Sequence, residues 1–171
     1  MMTALLVVLA TAPVGWGEGR QAFLDSSALA EIHPSPEGAA ALRALDPEAV
    51  VRERSGRVSL WQLSAGSAAR VLAVLETKLP GHFAAVFHDE PSAGSKLRVP
   101  AGGVLVWLEA STNAERWAVQ RGLVVKQSFG SGTLLLESAP GAASLALATT
   151  LRSDPRVRIV MPNWWLRAVR R

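Results

Sequence analysis

The sequence predicts an α+β fold: a four-stranded antiparallel sheet with two helices on one face, preceded by a degenerate second copy of the same plan. Three observations carry this reading. Between Gly103 and Trp165 the apolar pattern runs strand, helix, strand, strand, helix, strand. Chain-breaking residues stand at the joins, with Gly102-Gly103 before the first strand, Gly122 after the first helix and Gly130-Ser131-Gly132 between the middle strands. Part of the same plan recurs earlier in the chain at a constant offset.

Each element has a local cause. Val104 to Glu109 is a short apolar run suited to a buried strand. Ser111, Thr112 or Asn113 supplies the cap of a helix over Ala114 to Gln120, which Gly122 ends. Leu123 to Ser128 resumes as strand, and Thr133 to Ser138 returns as its hairpin partner. Pro140-Gly141 opens a second helix that carries Leu145, Leu147 and Leu151. Ser153-Asp154-Pro155 stops it, because proline disfavours the helical conformation in the residue before it. The last strand alternates, with Val157, Ile159 and Met161 on one face and Arg158 and Val160 on the other. Strands in this order, joined by two right-handed crossover helices, make the ferredoxin-like βαββαβ arrangement.

The earlier half repeats this plan at an offset of 74 residues without a gap. Val50-Val51-Arg52 falls on Val124-Val125-Lys126, Gly56 on Gly130, Leu60 on Leu134, Ala68-Ala69 on Ala142-Ala143, and Val86 on Val160. Turn glycines, strands and helix align together, as a duplication requires; chance agreement in a chain rich in Ala and Leu is the competing explanation. The first copy then comprises Glu37 to Leu45, Val50 to Arg54, Val58 to Leu63, Ala65 to Leu79 and Phe83 to Phe87, with a poorly marked opening strand near Ala28 to Ile32. The expected division is residues 1–17 as an export signal, 18–90 as the first unit, 91–101 as a linker and 102–171 as the second unit with its tail.

Composition narrows the function classes. Of 171 residues, 49% are hydrophobic and 19% charged, which fits a packed interior rather than disorder. The chain has no cysteine, which excludes disulfides, thiolate metal sites and a cysteine nucleophile. The net charge is +4, with Arg167, Arg170 and Arg171 clustered in the tail. A nucleic-acid binder would interleave basic and aromatic residues on one strand face or carry a basic recognition helix, and neither pattern is present. Ala4 to Ala12 is apolar and followed by Gly15-Trp16-Gly17, the spacing of an exported protein cleaved before Glu18. No Lys or Arg precedes that run, so a buried N-terminal strand is the alternative. About nine apolar residues are too few to span a bilayer. The expected location is therefore secreted or periplasmic, with no membrane span.

The strand Val104-Leu105-Val106-Trp107-Leu108, the helix end Arg121-Gly122-Leu123, and the run from Leu151 through Asp154-Pro155-Arg156-Val157 into Pro162-Asn163-Trp164 together resemble the pro-domain of subtilisin-like serine proteases. The resemblance covers about Gly103 to Trp165, a little over a third of the chain. The block Val86-Phe87-His88-Asp89-Glu90-Pro91 also resembles the region upstream of that pro-domain in some bacterial secreted subtilases. The resemblance implies a module that assists folding of the protease and then blocks its cleft. Its open sheet face would cover two surface helices of the protease, and the segment after the last strand would lie extended in the substrate cleft. Here that segment is Asn163, Trp164, Trp165, Leu166, Arg167, Ala168, Val169, Arg170 and Arg171. An interface of standard size supports roughly nanomolar binding, about −12 kcal/mol. Adjacent strand residues point to opposite faces, so one of Trp164 and Trp165 is expected to be exposed as an anchor for the partner. Arg170-Arg171 reads as a filler of basic-selective pockets, as a processing mark or as a solvated terminus.

Catalysis by this chain is not expected. A subtilase needs Asp-Ser/Thr-Gly, His-Gly-Thr and Gly-Thr-Ser-centred segments, and the sequence has none of them. Gly130-Ser131-Gly132-Thr133 sits between paired strands, where turn chemistry explains it better than a nucleophile loop. His88-Asp89-Glu90 lacks a second histidine at helical spacing, so no metal is assigned, and no cofactor is expected. The expected function is thus an inhibitor or folding chaperone of a subtilisin-like serine protease. The alternatives are a non-catalytic ferredoxin-like binding or assembly module, because such sheets host many functions, or a protease precursor whose catalytic part is not in this chain.

Overall fold

The computed structural model describes residues 14–16, 20–64, 68–90 and 95–166. Along them run β1 (Val14–Trp16), β2 (Arg20–Ile32), α1 (Pro36–Leu45), β3 (Val50–Ser55), β4 (Val58–Gln62), α2 (Ala68–Lys78) and β5 (Phe83–His88). The chain continues through β6 (Leu97–Leu108), α3 (Ala114–Gln120), β7 (Val125–Gly130), β8 (Thr133–Leu136), α4 (Ala142–Arg152) and β9 (Val157–Leu166). The fold is α+β, with four helices and one antiparallel sheet of nine strands among the described residues. That sheet is larger than a single βαββαβ unit would make.

Capping chemistry sets the helix ends. Ser35 accepts a hydrogen bond from the Gly38 N–H at 3.0 Å, with Pro36 in the first turn of α1. Asn113 does the same for the Arg116 N–H at 2.9 Å at the start of α3, and Gly122 follows that helix with φ +63°. No helix among the described residues is long and apolar enough to cross a membrane.

One strand order occurs twice. The first half pairs as β5-β2-β4-β3 and the second as β9-β6-β8-β7, each with its elements in the chain order strand, helix, strand, strand, helix, strand. Strand β6 joins them. Its first residues pair with β5 (Leu97 with His88, Arg98 with Phe87), its last with β8 (Val104 with Leu136 through Trp107 with Thr133), and β9 runs along its other side throughout. Between the Pro100–Trp164 and Val104–Pro162 pairs, β6 has Ala101-Gly102-Gly103 opposite the single residue Asn163. This bulge bends the strand, with φ of +92° at Gly102 and +84° at Gly103. Strand β2 bulges too, with Asp25 to Ala28 opposite Val86.

All four helices lie on one face of this sheet. Leu42 of α1 and Val71 and Leu75 of α2 pack on Leu29, Trp61 and Phe83, while Trp117 of α3 and Ala148 and Leu151 of α4 pack on Val104, Val106, Leu134, Leu136 and Val160. Leu72 of α2, Leu145 of α4 and Trp164 of β9 each pack against the small cluster of Ala22, Ala85 and Phe87. On the opposite face the first half buries Ala28, Ala30, Ile32, Val58, Leu60, Ala84, Val86, Leu97 and Val99. The small residues Ala28, Ala30 and Ala84 let this part curl inward. Strands β3 and β6, with three strands between them, line one cavity of about 50 Å³ through Arg52, Glu53 and Leu97.

Several expectations change. The segment 91–101 is not a linker along its length, since Leu97 to Ala101 belong to β6 and Val99 is fully buried. The opening strand of the first unit extends over Arg20–Ile32 rather than Ala28 to Ile32. The last strand continues past Met161 to Leu166, because the bulge in β6 keeps its pairing surface in reach. The gapless 74-residue alignment holds for the helices, Ala68–Lys78 against Ala142–Arg152. It fails at the hairpins, where Ser55–Val58 corresponds to Gly130–Thr133, one residue further on. Leu60 faces away from the helices and Leu134 lies beneath them, and a shift of one residue in a strand reverses the face. Of the expected export segment, Val14–Trp16 pairs with β2, and the other residues lie outside those described.

The bend gives a direct test. A Cβ at Gly103 would sit 3.1 Å from the Leu136 carbonyl oxygen, whereas one at Gly122 would meet nothing within 4 Å. Both glycines have positive φ, a conformation that costs other residues about 1–2 kcal/mol. Gly122→Ala is expected to lose about that amount in urea unfolding, and Gly103→Ala at least about 1 kcal/mol more.

Candidate functional site

Beyond the bulge, alternation along β6 sends Val104, Val106 and Leu108 under the helices and Leu105 and Trp107 to the other face. Register then assembles the site. Leu105 lies between Leu135 and Met161, and Trp107 between Thr133 and Ile159. Leu105, Trp107, Leu135, Ile159 and Met161 thus form a contiguous apolar strip across three strands, and every one of them is only half-buried. No described helix packs there. The corresponding face of the first half is closed by its curl and by Trp165, so the open apolar surface of this sheet belongs to the second half.

The nine residues expected to form an extended tail divide in two. Asn163, Trp164, Trp165 and Leu166 are strand residues, and Arg167, Ala168, Val169, Arg170 and Arg171 lie outside the described residues. Trp164 pairs with Pro100, Trp165 with Val99 and Leu166 with Arg98. The Asn163 side-chain amide donates to the Gly102 carbonyl at 3.1 Å and so ties β9 to the bulge. Both tryptophans are partly buried, rather than one of them being exposed. Trp164 meets Phe87 edge-on at 5.8 Å between ring centres on the helix side, and Trp165 packs into the core on the opposite face. They point to opposite sides, as strand geometry requires, but the protein has a core on each side at this position. Leu166 is half exposed, at 51%. The signal for this was the alternation Leu97-Arg98-Val99, hidden by Pro100 and the two glycines after it.

Three polar clusters brace the fold. His88 bridges Asp25 (Nε2 to Oδ2, 2.9 Å) and Ser95 (Nδ1 to Oγ, 2.9 Å), and Asp25 Oδ1 accepts from the Ser27 N–H and hydroxyl. The Ser95 hydroxyl also donates to the Glu90 carbonyl at 3.0 Å, so this cluster pins the β5–β6 connection to the β2 bulge. Buried Glu31 accepts from the Trp61 indole (3.0 Å) and the Ser35 N–H (3.0 Å), with His82 Nε2 at 3.2 Å. Asp154 pairs with Arg121 and accepts from the Trp117 indole at 3.1 Å and the Arg156 N–H at 2.9 Å. Burial acts to raise the pKa of Asp154, but the Arg156 N–H, the Trp117 indole and the Arg121 charge outweigh it and hold the carboxyl below its ordinary value. Burial likewise acts to raise Asp25, and the hydrogen bonds from His88 and Ser27 prevail, so it too is lowered.

Each of these contacts joins elements of the fold. Among the described residues no group of three or more His, Asp or Glu side chains is placed to hold a metal ion. Gly130, Ser131 and Gly132, with φ of +78°, +49° and +74°, form the tight turn between β7 and β8 rather than a nucleophile elbow. No protein-family model, curated protein or solved structure matches the chain.

The lowered carboxylates fix the acid limb of stability. Because their folded pKa values lie below the unfolded value of about 3.9, their contribution is complete above that pH and is lost as pH falls through the folded values. Asp154→Asn is expected to lose about 2 kcal/mol at pH 7. The gap to the parent protein should narrow in urea unfolding as pH falls below the ordinary carboxylate range. A gap independent of pH would contradict the assignment.

Proposed function

We propose that the protein is a non-catalytic inhibitor or folding assistant of a subtilisin-like serine protease, docking through the helix-free face of β6, β8 and β9. The observation that carries the proposal is the strip Leu105, Trp107, Leu135, Ile159 and Met161, an apolar surface that stays partly accessible while the matching face of the other half is buried. Contiguous exposed apolar surface on a folded protein marks a contact site. The strand order β9-β6-β8-β7 supports reading the second half as a ferredoxin-like unit, and β5-β2-β4-β3 supports a degenerate first copy. An exported location belongs to the same proposal.

The pairing of Asn163 to Leu166 in the sheet favours a second reading, a binding or assembly module that uses this face without a tail in a cleft. The two separate in an inhibition assay of the full chain against a panel of subtilisin-like proteases. The proposal expects inhibition that weakens at least about 100-fold, some 2.7 kcal/mol, in the double variant Trp107→Glu, Met161→Glu. Both side chains are partly accessible on the helix-free face, and circular dichroism of the variant checks that it folds. Absence of inhibition by the parent chain, or equal inhibition by the variant, would overturn it.

A further inference from the structure

Asp25, His88 and Ser95, far apart in sequence, meet at the end of β5. His88 follows Phe87 in that strand and so faces away from the helices, on the side of Val86. Register places Phe23 of β2 opposite His88, and Asp25 lies on the same face where the bulge in β2 begins. The His88 ring then spans two oxygens. Its Nε2 lies 2.9 Å from Asp25 Oδ2, and its Nδ1 lies 2.9 Å from Ser95 Oγ. Asp25 is fixed in turn, since its Oδ1 accepts from the Ser27 N–H at 2.9 Å and the Ser27 hydroxyl at 2.8 Å.

Hydroxyl, imidazole and carboxylate in a line are what turns a serine into a nucleophile, and geometry identifies the arrangement whatever the order in the chain. Burial acts to raise the Asp25 carboxyl, but the bonds from His88 and Ser27 outweigh it, so the group is ionised at neutral pH. The carboxylate keeps the ring proton on Nε2, which leaves the Nδ1 lone pair for the Ser95 O–H. That hydroxyl also reaches the Glu90 carbonyl at 3.0 Å, and rotation about its C–O bond moves the hydrogen between the two acceptors. Exposure rises from the Asp25 side chain at 12% to His88 at 22%, and Ser95 is partly accessible. A reagent in solvent therefore reaches the hydroxyl while the carboxylate stays sheltered.

The geometry points to Ser95 as an acyl-acceptor site, with His88 as the base that activates it and Asp25 as the residue that positions that base. The donor class is an ester with a good leaving group, a thioester or an aryl ester. Displacing an amine demands in addition a cradle of donors for the oxyanion. Ser95 Oγ bonds to the carbonyl carbon as its proton passes to His88 Nδ1. The carbon–sulfur or carbon–oxygen bond to the leaving group then breaks, and His88 gives the proton to the departing thiolate or phenolate. A single acyl-serine results and no turnover is required. The assignment goes beyond the inhibitor reading and does not depend on it, since the relay is built on β2 and β5 and the docking face on β6, β8 and β9.

The test treats the full chain with p-nitrophenyl acetate and maps acetyl groups over time by peptide mass spectrometry. Ser26 and Ser131, exposed serines of the same chain, are the internal references. Ser95 should be acetylated at least about 100-fold faster than either, the effect of a positioned base. Ser95→Ala should remove the fast release of nitrophenolate. His88→Gln should slow acetylation of Ser95 at least about 100-fold. His88→Ala should recover part of the rate when imidazole is added, which a purely structural histidine would not allow. Asp25→Asn should slow the reaction at least about tenfold, and NMR of the His88 ring should show the proton leaving Nε2. Circular dichroism checks that each variant folds. Acetylation of Ser95 no faster than of the reference serines, or an acetyl group on Lys96 or His88 in its place, would overturn the assignment. So would a Ser95 rate unchanged in His88→Gln. The parent chain alone supplies the first two outcomes, so the test stands whether or not every variant folds.

Discussion

At Ala101-Gly102-Gly103 strand β6 carries three residues opposite the single residue Asn163, and the rest of the structure depends on that bend. Without it, β6 could pair with one half only. With it, residues before the bend complete the curl of the first half, and residues after it form the centre of the second. Two glycines are required because both backbones stand at positive φ, with the Ser138 and Leu136 carbonyls pressed close to where side chains would begin. The Asn163 amide then fastens the opposite strand to the Gly102 carbonyl.

From this constraint follows the asymmetry between the two helix-free faces. The first half closes its own around small residues, Ala28, Ala30 and Ala84, with Leu97, Val99 and Trp165 filling the curl. The second half has larger side chains at the matching surface, Leu105, Trp107, Ile159 and Met161, and nothing among the described residues folds over them. Burial of the first face stabilises the fold, while the partly accessible second face keeps some apolar area in water that a partner can cover. The exposed strip is what gives the functional proposal its content.

The second half was legible in the sequence because its punctuation is chemical. Asn113 and Gly122 bound α3 at the residues the structure shows, and Pro155 ends α4 close to where it stops. The opening strand of the first half was not legible, since Asp25-Ser26-Ser27 reads as loop and is in fact a bulge held by the Asp25 carboxylate. The start of β6 was hidden for a related reason, because Pro100 and the paired glycines mark linkers as often as bends. For the site, the identity of the final strand could be read, but its length could not. That Trp164 and Trp165 each pack against a core, one on either face, depends on residues contributed by the first half, which no local pattern reports.

If β6 joins the two halves into one sheet, they unfold together. Differential scanning calorimetry of the full chain measures this directly. A single transition whose calorimetric and van't Hoff enthalpies agree is the result expected of one cooperative unit. Two resolved transitions, or a calorimetric enthalpy about twice the van't Hoff value, would mean that the halves fold independently and that the shared strand does not couple them.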